Sequence, residues 1–94
     1  MGAVIRKRAI VTGMVQGVGF RWSVREQARG LGVTGWARNR ADGSVEVEVE
    51  GAETDVGRML DWLRAGPPGS SVESVAVTDA APEGDDAFRI RQSL

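Results

Sequence analysis

The segment Gly13-Met-Val-Gln-Gly-Val-Gly-Phe-Arg21 is where residue types and spacing point to chemistry. Glycines at 17 and 19 permit positive φ and let a ligand approach the main chain closely. The apolar spacing that follows predicts a helix starting at Phe20, which aims its free N–H groups and positive dipole end back into the loop. Arg21 adds a permanently charged fork of donors in the first turn. A concave row of N–H donors with one guanidinium suits a phosphate or carboxylate group. A tight strand-to-helix turn with a solvated arginine would use the same residues, and spacing alone leaves both readings open.

Nucleotide-binding loops of known pattern do not fit. A Walker A loop counted from Gly13 needs glycine at 18, where Val18 stands, and Lys with Ser or Thr after it, where Gly19 and Phe20 stand. A dinucleotide loop counted from Gly17 and Gly19 needs glycine at 22, which is Trp22. A second polar feature is Asn39, which shares one face of a predicted strand with Gly35 and Ala37. If that strand lies near the first strand, Asn39, near its end, projects towards the loop mouth. An asparagine two or three residues before a turn such as Asp42-Gly43 is more often a turn-former than a catalytic group.

The elements that must position these groups follow from pattern. A first strand over 8–14 leads into the loop, and Phe20, Val24, Ala28 and Leu31 mark one face of a helix ended by Gly30 and Gly32. A second strand over 34–40 and the Asp42-Gly43 turn lead to 44–50, where Val45, Val47 and Val49 alternate with Glu46, Glu48 and Glu50. That alternation predicts a sheet with one covered and one wet face. Val56, Met59, Leu60 and Leu63 give the core face of a second helix starting near Glu53, closed by Gly66-Pro-Pro-Gly69. A fourth strand over 72–78, an acidic loop over 79–86 and a short strand over 88–91 complete the chain. The order βαββαβ with a short C-terminal strand predicts a ferredoxin-like α+β two-layer sandwich, a mostly antiparallel sheet covered on one face by two helices. Residues 1–94 read as a single domain.

Composition narrows the chemistry. The 94 residues contain no cysteine and no histidine, which excludes disulfides, thiolate nucleophiles and imidazole bases or ligands. Residues 1–40 carry eight basic groups against Glu26 alone, net +7, and the remainder carries four against twelve acids, net −8. Such a division suggests that the first half favours anions. Met1 to Ile5 is too short for the apolar core of a signal peptide, and no apolar run approaches the roughly 20 residues of a membrane helix. The expectation is a cytoplasmic monomer without membrane association.

Val15-Gln-Gly-Val-Gly-Phe-Arg21, Gly35-Trp-Ala-Arg-Asn39 and Asp42-Gly-Ser-Val-Glu46 together resemble the acylphosphatase signature. The resemblance extends to Gly66-Pro-Pro-Gly69 and Phe88-Arg-Ile90 and covers essentially the whole chain. It implies an enzyme that hydrolyses the carboxyl–phosphate bond of acyl phosphates, releasing a carboxylate and inorganic phosphate, which also competes with substrate. It further implies that Val15, Gln16, Gly17, Val18, Gly19 and Phe20 hold the phosphate with Arg21, and that Asn39 positions the attacking water. Met14 departs from the family, which often has a basic residue there.

An acyl phosphate has a good leaving group, so the larger tasks are neutralising phosphoryl oxygens and holding water in line. Asn39 does not titrate, which leaves a substrate phosphate oxygen as the acceptor of the water's proton. Glu26 is the only carboxylate in the first 40 residues, which argues against bound Mg²⁺ and for a reaction without metal or cofactor. An RNA-binding domain of this fold needs stacking aromatics on the open sheet face. The predicted third strand offers Val and Glu, and Phe20, Trp22 and Trp62 fall in predicted helices as packing groups, so no nucleic-acid partner is expected. The remaining alternative is a non-catalytic phosphate-sensing module, from which Asn39 discriminates.

Overall fold

Val45, Val47 and Val49 are fully buried on one face of the third strand, and the two helices cover them. In this computed structural model, residues 3–93 are described; Met1 and Gly2, part of the stretch read for a leader, lie outside it, as does Leu94. The elements are β1 (Val4–Met14), α1 (Phe20–Leu31), β2 (Thr34–Asn39), β3 (Val45–Ala52), α2 (Glu53–Ala65), β4 (Ser71–Ala80) and β5 (Phe88–Ile90). They form a five-stranded sheet in the order β4-β1-β3-β2-β5, antiparallel throughout except for the parallel β2–β5 edge pair. This is the ferredoxin-like α+β sandwich.

Both helices bury the stripes that their spacing requires. Phe20, Val24 and Ala28 of α1 and Val56, Met59, Leu60 and Leu63 of α2 enter one core, and Phe20 meets the Trp62 ring at 6.4 Å between centroids. Each fully buried large side chain of this kind contributes about 1.5–3 kcal/mol. Gly32 takes the left-handed C-cap, its N–H reaching Arg29 O, whereas Gly30 remains inside the helix.

The opposite face of the sheet differs from the wet face that the alternation predicts. Glu46 and Glu50 are only 3% and 5% exposed. The antiparallel register sets Arg6 opposite Glu50 and Arg8 opposite Glu48, so β1 starts at Val4 rather than at residue 8 and contributes arginines to that face. Arg6, itself buried, bonds Glu48 at 2.5 Å, Glu50 at 3.0 Å and Asp85 at 3.1 Å, and lies 3.2 Å from Glu83. Arg8 and Arg38 clasp Glu46 at 2.6 and 2.8 Å. Trp36 is buried on this face between the guanidinium groups of Arg38 and Arg91, 4.9 and 4.8 Å from its ring. Opposite charges directly across strands thus form a polar layer that closes the face.

This layer accounts for the charge asymmetry. Arg6, Lys7, Arg8 and Arg38 pair with acids of the second half, and Arg25 and Arg29 pair with Glu26. The basic excess of the first half is therefore mainly cross-strand neutralisation rather than a broad anion-binding surface. Among the described residues, Arg21 and Arg40 are the basic groups of that half without an acidic partner within ion-pair distance.

Candidate active site

The loop is set by the irregular end of β1. The β1–β4 register shifts between Thr12 and Gly13, where β4 carries the extra residue Glu73, a bulge in the partner strand opposite the end of β1. Gly13 has φ +121°, and a Cβ there would stand 2.1 Å from the Ser71 carbonyl oxygen, so the strands approach closely only because the residue is glycine. Val15 then anchors in the core at 1% exposure. Gln16 donates through Nε2 to the carbonyls of Arg40 and Ser44, both at 2.8 Å, which straps the loop to the β2–β3 turn.

Past this strap the chain turns on Gly17 and Gly19, both with positive φ, and Gly19 is the N-cap of α1. The Ser23 N–H donates to Gly19 O at 3.0 Å as the first turn closes. Among the described residues, no main-chain N–H from Gln16 to Arg21 donates to a protein acceptor. These are the unsatisfied groups that a helix N-terminus and its preceding loop offer to an anion.

β2 lies one strand away from β1, with β3 between them. The loop nevertheless reaches Asn39, since the Gln16 strap carries it towards the β2–β3 turn. Asn39 joins Val15, Gly17, Gly19, Phe20, Arg21, Trp22 and Ile90 around a cavity of about 180 Å³. Its Oδ1 is buried and has no hydrogen-bond partner. No group of the protein occupies this acceptor, so it is free to take a hydrogen bond from a donor bound in the cavity.

Not every loop residue contributes in the same way. Gln16 and Val18 do not line the cavity; the Gln16 amide is committed to the strap and the Val18 side chain is 37% exposed. Trp22 is not the packing group expected from its place in a helix: it is 57% exposed and lines the cavity, because it falls off the Phe20–Val24–Ala28 stripe. Ile90, brought in by the parallel β5 pairing, carries no chemical signal in the sequence and was missed. The strap formed by Gln16 was also missed, since a side-chain bond to a distant carbonyl leaves no mark in spacing.

A larger groove of about 610 Å³ lies beside the loop, lined by Thr12, Met14, Asp42, Ser44, Ser71 and Glu73 among others. Its charged walls are Asp42 and Glu73, with no cation, which opposes phosphate binding. The Ser44 hydroxyl and N–H hold the Asp42 carboxyl below its ordinary pKa. Met14, where the acylphosphatase family often has a basic residue, opens onto this groove and not onto the cavity with Arg21.

The topology and loop together define a ferredoxin-like α+β sandwich with an anion-suited turn at one end of its sheet. The sequence model of acylphosphatases matches residues 7–90. An acylphosphatase of Anaeromyxobacter dehalogenans is 50% identical over 88 residues, covering 93% of this chain and 95% of its own. The solved acylphosphatase structures of Coxiella burnetii and Bacillus subtilis superpose with TM-scores of 0.90 and 0.89 at 36% and 39% identity. They cover 94% and 93% of this chain and 93% and 98% of theirs. The chain belongs to the acylphosphatase family, and its activity is the hydrolysis of acyl phosphates to a carboxylate and inorganic phosphate. The non-catalytic sensing alternative is not favoured.

Proposed function

We propose that the cavity at Arg21 and Asn39 is where this hydrolysis takes place. Main-chain N–H groups of residues 15–20 and the Arg21 guanidinium bind the phosphoryl oxygens, and Asn39 Oδ1 accepts a hydrogen bond from the attacking water. The water oxygen bonds to phosphorus as the bond from phosphorus to the acyl oxygen breaks. The carboxylate leaves with that bonding pair, and a phosphoryl oxygen takes the water's proton. Electrostatic stabilisation and alignment therefore carry the reaction, with no titrating protein group in it.

The observation that carries this reading is the unpartnered Asn39 Oδ1 in the same cavity wall as Arg21. A turn-forming asparagine would spend that oxygen on the backbone; here the turn is made by Asp42, which accepts from Ser44 N–H and Oγ. The cavity residues include no carboxylate, and Glu26 is engaged with Arg25 and Arg29, which supports a metal-independent mechanism. We further infer a single-domain, monomeric, cytoplasmic enzyme that works on small acyl phosphates without membrane or nucleic-acid partners. No helix among the described residues is long and apolar enough to cross a membrane.

The test is hydrolysis of benzoyl phosphate in the presence of chelator, with and without inorganic phosphate. The expected result is full activity under chelation and competitive inhibition by phosphate. A requirement for added metal would overturn the metal-free mechanism, and noncompetitive inhibition would remove phosphate from the site.

A further inference from the structure

The walls of the cavity are mixed in chemistry. Arg21, the glycine loop and Asn39 are polar, whereas Trp22 and Ile90 add an indole and an aliphatic chain to the same walls. Trp22 is the least covered aromatic ring among the described residues, at 57% exposure, while Phe20, Trp36 and Phe88 are buried and Trp62 packs on the core. A bulky ring kept out of the core and set one residue after the cavity's only cation calls for a partner that the protein fold does not provide. Once phosphate occupies the loop, the rest of the substrate must leave by the open side of the cavity. The acyl group is the one part of the substrate that an indole can recognise.

We propose that Trp22, supported by Ile90, is the platform for the acyl group, and that it favours aryl and bulky apolar acyl phosphates over acetyl phosphate. This assignment rests on placing the phosphate at Arg21 and the loop. An aryl ring stacks on or meets edgewise the exposed indole and covers apolar area that otherwise faces water. An acetyl group is too small to do either to the same extent. Trp22 touches substrate without touching the reacting atoms, so its contribution appears as discrimination between acyl groups.

The experiment measures kcat and KM for benzoyl phosphate and acetyl phosphate, and the inhibition constant of inorganic phosphate, in wild type, Trp22→Ala and Trp22→Phe. Trp22→Ala is expected to lower the benzoyl-to-acetyl ratio of kcat/KM by about tenfold, the scale of one lost aromatic contact, with the loss falling on the benzoyl KM. Trp22→Phe, which keeps a ring, should hold the ratio within about threefold of wild type. An equal change for both substrates in Trp22→Ala, or no change in the ratio, overturns the acyl-platform assignment. Arg21→Ala separates this failure from failure of the site itself: if it leaves both substrates and phosphate inhibition unaffected, the phosphate is not bound in this cavity and the acyl assignment falls with it.

Discussion

Replacing Asn39 by alanine separates stability from catalysis in a way that follows directly from the structure. Its Oδ1 is buried and has no hydrogen-bond partner within the protein, so no hydrogen bond of the fold depends on this atom. Alanine removes the acceptor without breaking a hydrogen bond within the protein, and the main-chain pairing of residue 39 with Val45 is retained. Asn39→Ala should therefore be about as stable as wild type, with Tm changed by no more than a few degrees. The same substitution removes the group proposed to align water. Loss of one aligned, preorganised contact costs about 3 kcal/mol in the transition state, or about a hundredfold in kcat. Affinity for inorganic phosphate should change little, because the donors of the loop and Arg21 remain. Thermal unfolding, phosphate titration and benzoyl phosphate kinetics on one preparation make the comparison. A Tm several degrees below wild type would show that the side chain is structural, and weakened phosphate binding with normal turnover would refute water positioning.

Three further outcomes are expected. Arg8 and Arg38 outweigh the burial that acts against the Glu46 carboxylate, and for Glu50 the N–H groups of Glu83 and Gly84 together with Arg6 do the same, so both pKa values lie below the ordinary 4.5. Their stabilisation is present above about pH 4.5 and is lost as pH falls through the lowered folded values. Denaturant unfolding should thus show stability declining on acidification below that pH, and the deficit of Glu50→Gln relative to wild type should shrink; a constant deficit from pH 7 to pH 3.5 would contradict the pairing. Gly13→Ala forces a Cβ onto the Ser71 carbonyl and should cost about 1–3 kcal/mol by denaturant unfolding, with a fall in activity because this end of β1 leads directly into the loop. Gln16→Ala removes both hydrogen bonds of the strap and should lose about 1–3 kcal/mol, again by denaturant unfolding, with KM raised as the loop loosens; unchanged stability would show that the strap does not hold the loop.

The helices and strands were legible because their periodicities are local. The Phe20–Val24–Ala28 stripe and the alternating valines of β3 each state which side faces the core. What covers the other side is not local. Glu46 and Glu50 read as solvated until the register brings Arg6, Arg8 and Arg38 to them across strands. The same non-locality accounts for the sheet order, in which β3 separates β1 from β2 and a parallel β5 supplies Ile90 to the cavity. Arg21 and Asn39 were legible as a candidate pair from their motif context, and the cavity brings them together. The unpaired state of Asn39 Oδ1 and the exposure of Trp22 depend on what does not pack against them, which no spacing records.

Fixed charge at Arg21 is proposed to stabilise the transferring phosphoryl group, and Arg21→Ala tests this most directly. The side chain is partly exposed in the first turn of α1 and has no acidic partner among the described residues, so its removal leaves no buried charge behind and should not unfold the protein. With folding verified by circular dichroism, kcat/KM for benzoyl phosphate should fall by at least about a hundredfold, and Arg21→Lys should recover only part of it for want of the planar fork. A folded Arg21→Ala protein that hydrolyses benzoyl phosphate within a few-fold of wild type would contradict the account.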